Sequence, residues 1–173
     1  MSTKHSKVAE TFLKNRSLAA WHDETLWMVR AKRDKMSKAV PEWEHLRDMA
    51  CAIKMYSNSH LDQLLVEFEK NAKANGAHVY WAKDAEEYCS IVARILEEHQ
   101  VKHFIKSKSM LAEECGLNEY LEQKGVEVVE SDLGERILQL MHKKPSHIVL
   151  PAIHVKKEEI GELFVKEMGT EPG

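Results

Sequence analysis

The fold is decided by the segment Val126-Glu127-Val128-Val129-Glu130-Ser131-Asp132-Leu133-Gly134-Glu135, in which a strand pattern passes directly into a helix start. The valines at its beginning are β-branched, and β-branched residues fit a pleated, half-buried surface. Asp132 and Glu135 then have the spacing of a capping box, and a helix is predicted over residues 133–142. The segment therefore predicts one strand–turn–helix unit.

Strand and helix patterns alternate on both sides of this segment. Strand signals occur at residues 77–81, 102–106, 126–130 and 147–150, and each is followed by apolar residues at helical spacing. The connections are too long for tight hairpins, so the alternation predicts βαβ units with right-handed crossovers. We therefore expect an α/β fold with a mainly parallel sheet and flanking helices.

The N-terminal part of the chain has a different pattern. Residues 1–58 contain no strand signal, and their large aromatic residues have helix-like spacings. Two or three helices are predicted there, the last of them opened by Pro41 in its first turn. The expected organisation is a helical N-terminal extension over residues 1–58 and a partial α/β domain over residues 59–173.

The end of the chain interrupts the alternation. Residues 169–173 follow the last predicted helix, and the strand expected next is missing. We therefore expect that the natural chain continues beyond residue 173. A sheet that lacks a strand has an open edge, and an open edge favours pairing with another chain, so a homodimer is also expected.

The composition is that of one soluble, folded domain. The 173 residues are 43% hydrophobic, and the 25 basic and 28 acidic side chains are interspersed. This length supports a substantial core, while the net charge of −3 provides no basic field for nucleic acid. No apolar run approaches the roughly 20 residues that span a bilayer. We expect a cytoplasmic protein with no nucleic-acid partner and no membrane span.

The cysteines and histidines have no metal-ligand spacing. Cys51, Cys89 and Cys115 are far apart, and no Cys-x-x-Cys pair occurs. An odd number of isolated cysteines argues against a disulfide framework and against a complete metal site. No metal is therefore predicted in this chain.

Polar side chains follow the predicted strands at the points where the strands end. Lys106, Ser107, Lys108 and Ser109 follow one strand, Asp132 follows the next, and His154 follows the last. The carboxyl ends of parallel strands share one edge of the sheet, so these residues are expected to line a common crevice. Ammonium, hydroxyl and free amide groups suit a phosphate or a carboxylate, so the prediction is an anion site.

A structural role explains several of the same residues. Ser109 is a good N-cap for the following helix, and both lysines then remain solvated. Asp132 and Glu135 fit a helix cap better than a catalytic acid and base. No glycine-rich nucleotide loop and no Gly-x-Ser-x-Gly elbow occurs, so catalytic residues stay unassigned.

Several segments, in the same order, resemble the lactate utilisation protein B family, in the N-terminal part of its lactate-utilisation (LUD) domain. The matching segments are residues 27–34, 68–69, 75–77, 81–87, 106–110, 116–118, 130–135, 145–148 and 151–154. The resemblance implies a fold like that of sugar-phosphate isomerases and CoA transferases. It also implies a role, with two partner subunits, in converting L-lactate to pyruvate.

The family's iron–sulfur clusters are held by cysteine motifs in a later part of its members. No such motif occurs here, so no cofactor is expected in this chain, and the clusters are expected in the C-terminal part that it lacks. The matches at residues 106–109 and 151–154 coincide with the predicted crevice and are carried over as ligand contacts.

Three functions remain open at this point. The leading hypothesis is the N-terminal domain of an iron–sulfur oxidoreductase subunit of L-lactate oxidation, acting as an α/β scaffold with an anion-binding crevice. The second is an independent enzyme or binding module for a phosphorylated sugar, a CoA ester or a similar anionic metabolite, acting through Lys108 and His154. The third is an interaction module whose N-terminal helices bind partner subunits.

Overall fold

A computed structural model of the chain describes residues 5–171, which form two compact units divided between Tyr80 and Trp81. Residues 1–4 and 172–173, which the predicted domain ranges include, lie outside the described residues. The expected domain boundary between residues 58 and 59 remains a prediction.

The first unit is helical. Its helices are α1 (His5–Lys14), α2 (Arg16–Lys38), α3 (Trp43–Ser59) and α4 (Leu61–Ala74). Asn15 caps α2 by accepting a hydrogen bond from the amide of Leu18 at 3.1 Å. The prediction that Pro41 opens the third helix is wrong by two residues, because Pro41 lies in the turn before the N-cap of α3.

Two apolar stripes are exposed on α3 and α4. The α3 stripe consists of Trp43, Leu46, Met49, Ile53 and Tyr56, and the α4 stripe of Leu61, Leu64, Leu65 and Phe68. Among residues 6–80, Thr25 is the only buried residue. Isolated helices depend on packing of their apolar faces for stability, so these stripes are surfaces suited to contact with another apolar surface.

The second unit contains the sheet. Its elements are α5 (Ala85–Glu98), β1 (His103–Lys106), α6 (Met110–Glu114), α7 (Leu117–Glu122), β2 (Glu127–Glu130), α8 (Leu133–Leu140) and α9 (Lys157–Met168). Strands β1 and β2 are parallel, with His103 opposite Glu127 and Lys106 opposite Glu130. The α/β class and the parallel pairing are therefore confirmed.

One apolar cluster joins the helices to the sheet. Its buried members are Cys89, Ala93, Leu96, Ala112, Leu117, Leu121 and Val128. Leu121 has no exposed surface, and full burial of a leucine side chain stabilises a fold by roughly 1.5–3 kcal/mol. The cluster packs α5, α6 and α7 against β2.

Two of the four predicted strands are absent from the described residues. Residues 77–81 have no regular structure, and the amide of Ala77 instead donates to the carbonyl of Ala72 at the end of α4. Residues 147–150 form bends because the Nδ1 atom of His147 accepts hydrogen bonds from the amides of Val149 at 3.1 Å and Leu150 at 3.0 Å. Such local side-chain bonds compete with strand pairing.

The outer edge of β2 is occupied by a side chain. The amide group of Gln139, on α8, donates to the carbonyl of Val128 at 2.7 Å and accepts from the amide of Glu130 at 3.2 Å. A neighbouring parallel strand makes the same pair of bonds. Arg136 donates to Gln139 Oε1 at 2.7 Å, which orients the amide group. The sheet of the described residues therefore ends at β2, with two backbone groups of this edge paired by Gln139. The expectation of a homodimer formed through an open edge remains a prediction.

The turn between β2 and α8 requires close packing. A Cβ atom on Gly134 would lie 2.9 Å from Cγ of Pro151 and 3.3 Å from its Cδ. Such a distance forces one of the two groups to move, so a side chain at residue 134 would displace the proline ring or the backbone of α8. This contact attaches the loop before α9 to the start of α8.

Candidate functional site

The carboxyl ends of β1 and β2 carry a buried ion pair. Lys106 ends β1, Glu130 ends β2, and their side chains are only 8% and 2% exposed. The ammonium of Lys106 contacts Oε1 of Glu130, and Nδ2 of Asn118 donates to the same oxygen at 2.9 Å. A buried charge is tolerated when it is paired and hydrogen-bonded, which describes Oε1 of Glu130; its Oε2 atom is buried without a hydrogen-bond partner among the described residues.

A second, looser pair lies beside the first. Nζ of Lys108 is 3.9 Å from Oε1 of Glu135, whose side chain is 3% exposed, while that of Lys108 is 24% exposed. This distance is too long for a hydrogen bond, and neither atom has a hydrogen-bond partner among the described residues. The Lys108 ammonium is thus a buried donor group whose hydrogen-bonding capacity is unused at the strand ends.

Carboxyl groups outnumber ammonium groups in this cluster, which we define as Lys106, Lys108, Glu113, Glu130 and Glu135. Burial raises the pKa of Glu135, and the charges of Glu113 and Glu130 raise it further, against the opposing effect of both lysines. Burial likewise raises the pKa of Glu113. The charge of Lys106 opposes this rise in pKa, and the charge of Glu130 adds to it. With all five groups ionised, the cluster has one negative charge in excess.

A cavity of about 260 Å³ adjoins the cluster. Its buried wall contains Glu130 and Glu135, and its exposed rim includes Lys143 and Lys144. A larger cavity of about 520 Å³ lies at the opposite, amino ends of the strands, beside Lys102. The glutamates of the cluster line the smaller of these two cavities. The size of a cavity therefore does not by itself identify the functional site.

Two of the predicted site residues are helix caps. The hydroxyl of Ser109 accepts from the amide of Ala112 at 3.3 Å, and the carboxylate of Asp132 accepts from the amides of Gly134 and Glu135 at 3.1 and 3.2 Å. These bonds agree with the structural interpretation of both residues. The side chain of Glu135, in contrast, points to Lys108. Of the expected capping box, only the hydrogen bonds accepted by Asp132 are formed.

The remaining predicted residues lie in loops. Ser107 is exposed, and His154 is half-buried with its Nδ1 atom 2.7 Å from the hydroxyl of Ser146 in the same loop. The strand ends thus bring Lys106 and Lys108 together with two glutamates, and His154 bonds to a serine of its own loop. A ligand-binding role for these residues remains a prediction.

Sequence reasoning missed Glu113, Asn118 and Glu130 as members of the site. Strand alternation contains a signal for Glu130, because residues two apart share one face of a strand. Val128 is in the core, so Glu130 must face the interior as well. A charged residue on the buried face at a strand end needs a partner, and Lys106 is its register neighbour.

The three cysteines of the chain are free thiols. Three thiols are fewer than the four ligands that iron–sulfur clusters take, and the thiol of Cys89 donates to the carbonyl of Cys115 at 3.4 Å. Within residues 5–171, no group of three His, Cys, Asp or Glu side chains is arranged to hold a metal ion. The iron–sulfur clusters expected for longer members of the family remain a prediction.

Comparison with known protein families identifies the class of this α/β protein. The LUD domain family matches residues 65–171, and the chain belongs to that family. The chain is also similar to lactate utilization protein B, as its sequence segments predict. Against that of Bacillus pumilus (strain SAFR-032) it is 41% identical over 141 residues, which cover 81% of this chain and 30% of that protein.

Two further relatives have similar coverage. Lactate utilization protein B of Macrococcus caseolyticus (strain JCSC5402) is 42% identical over 82% of this chain and 30% of its own length. The uncharacterized electron transport protein YkgF of Escherichia coli (strain K12) is 37% identical over 83% of this chain and 30% of its own length. The chain thus spans about 30% of the length of these relatives.

No solved structure matches the chain significantly. Within residues 5–171, none of the helices is both long enough and apolar enough to cross a membrane.

Proposed function

We propose that this chain is the α/β domain of a cytoplasmic protein of L-lactate oxidation to pyruvate, and that it binds a small carboxylate at Lys108. The proposal rests on membership of the LUD domain family and on the names of the relatives, which include lactate utilization and electron transport. In this proposal the domain is a scaffold with an anion site. Electron transfer belongs to a longer protein with iron–sulfur clusters, working with two partner subunits.

The observation that carries the anion site is the state of the Lys108 ammonium. It lies at the carboxyl end of β1, where ligands of α/β proteins bind, and it has no hydrogen-bond partner among the described residues. Lys106, by comparison, is already neutralised by Glu130. A carboxylate placed at Lys108 gains a charge-assisted hydrogen bond, which is stronger than one between neutral groups.

Calorimetric titration of the whole chain with sodium L-lactate and sodium pyruvate tests this site. We expect binding of at least one of them, and we expect Lys108→Ala to weaken it at least tenfold. Lys102→Ala is the matched control, because Lys102 is an exposed lysine just before β1 and is expected to leave affinity unchanged. Circular dichroism confirms that both variants fold.

Two results would contradict the proposal. Equal affinities of Lys108→Ala and the wild type for these carboxylates would place the anion elsewhere. Tighter binding of inorganic phosphate, a sugar phosphate or a CoA ester than of either carboxylate, lost in Lys108→Ala, would favour the alternative of a binding module or enzyme for a phosphorylated metabolite.

A second candidate function is that of an interaction module, and the exposed stripes of α3 and α4 favour it. Large apolar side chains on two adjacent helices provide a surface for partner subunits. Trp43→Ser together with Ile53→Ser is expected to weaken co-purification with the two other lactate-utilisation subunits and to leave carboxylate binding intact. Unchanged co-purification would contradict this candidate.

A further inference from the structure

We propose that Glu135 binds the same carboxylate as a neutral acid, so that each anion enters the site together with one proton. This inference rests on the proposed carboxylate site at Lys108. It adds a binding residue whose spacing from Asp132 otherwise indicates only a helix cap.

The positions of the two side chains make an ionised Glu135 a competitor of the ligand. Its Oε1 atom lies 3.9 Å from the Lys108 ammonium, so the ionised group already serves as the counter-ion of that lysine. A ligand carboxylate at Lys108 would then face a second negative charge a few ångströms away in a water-poor site. Like charges at such a distance repel strongly when they are poorly solvated.

Protonation converts the competitor into a donor. A neutral carboxyl group offers one O–H, and the Oε1 atom of Glu135 has no other hydrogen-bond partner among the described residues. The O–H can donate to the ligand carboxylate while Lys108 donates to the same ligand. The proton comes from solvent and stays on Glu135, so no covalent bond of the ligand is made or broken.

The charged groups around Glu135 favour this protonation. Glu113 and Glu130 face it with negative charge, and these charges oppose the positive charges of Lys108 and of Lys106, which is paired with Glu130. Burial and these carboxylates together raise its pKa. The other ionisable groups that line the adjoining cavity are Glu119 and Glu122 on α7, and His142, Lys143 and Lys144 after α8.

Titration calorimetry of the whole chain with L-lactate tests the inference. Measurement at one pH in buffers of different ionisation enthalpy gives the number of protons taken up. Above the pKa of Glu135 we expect about one proton per lactate, and an affinity that falls about tenfold for each further unit of pH.

Glu135→Gln separates this inference from the site itself, because glutamine is neutral at every pH and still offers an N–H donor. The variant is expected to bind lactate without proton uptake and to have no fall in affinity with rising pH. The matched control is Glu114→Gln, an exposed glutamate on α6, which should retain both effects.

The outcomes distinguish the two proposals. Binding that requires Lys108 but takes up no proton in the wild type overturns the role of Glu135 and keeps the anion site. Proton uptake that persists in Glu135→Gln and disappears in Glu113→Gln also overturns it, because the proton is then held by Glu113. Binding that is indifferent to Lys108→Ala, or no binding between pH 5 and pH 8, overturns both.

Discussion

Replacement of Gln139 by alanine tests whether a side-chain amide substitutes for a neighbouring strand. The change removes the donor to the Val128 carbonyl and the acceptor of the Glu130 amide. Both residues are buried, at 4% and 3% exposure, so water has little access to the backbone groups that lose their partner.

The expected cost follows from these two bonds. Each hydrogen bond contributes about 0.5–1.5 kcal/mol net, and a buried group left without a partner costs about 1–3 kcal/mol. Alanine recovers a few tenths of a kcal/mol of helix propensity. We therefore expect the free energy of unfolding of the second unit to fall by about 2 kcal/mol. An effect of that size is roughly a thirtyfold change in an equilibrium constant.

Urea denaturation and amide hydrogen exchange measure this effect. The exchange rate of the Glu130 amide is expected to rise by about the same thirtyfold factor as the equilibrium constant. Gln63→Ala is the control, because Gln63 is an exposed glutamine within α4 and makes no such bonds. A loss below about 0.5 kcal/mol, or an unchanged exchange rate at Glu130, would refute the reasoning.

Three further changes have defined outcomes. Glu130→Ala leaves the Lys106 ammonium buried without its partner and should cost about 3–5 kcal/mol in urea denaturation; a loss under about 1 kcal/mol would show that the pair is not buried in solution. Gly134→Ala should cost about 1–3 kcal/mol against the proline ring, whereas Gly161→Ala in the open interior of α9 should stabilise by up to about 1 kcal/mol; equal thermal midpoints would contradict the packing. Because the folded-state pKa of Glu135 is raised, the wild type should lose stability as pH rises from the ordinary glutamate pKa through the raised one, and Glu135→Gln should reduce that loss to the part caused by Glu113; parallel stability curves of the two proteins would refute the shift.

Local signals predicted the elements of the second unit well. The predicted capping residues Ser109 and Asp132 lie immediately before α6 and α8, and each accepts an amide hydrogen bond from its helix. The two predicted strands that the structure contains, β1 and β2, pair with each other. The helix caps depend on nearby residues, so the sequence pattern contains them.

The missing strands and the missed site residues depend on other interactions. Residues 147–150 have strand propensity, but the ring of His147 takes two of their amides, and propensity gives no indication of that bond. Glu135 fits a cap by spacing, yet its side chain contacts Lys108, which is 27 positions earlier in the sequence. Long-range contacts of this kind are set by strand register and are not visible in a window of sequence.

The Lys106–Glu130 pair also determines how the two strands align. The two residues are directly opposite each other on the last rung of the ladder. Sliding one strand by a single residue would turn one charged side chain to the other face and leave the other charge alone against the apolar cluster. That penalty is larger than the gain from any one backbone hydrogen bond, so the misaligned pairing is less stable than the native one. The ion pair thus specifies the register of β1 and β2, even if its net contribution to stability is small.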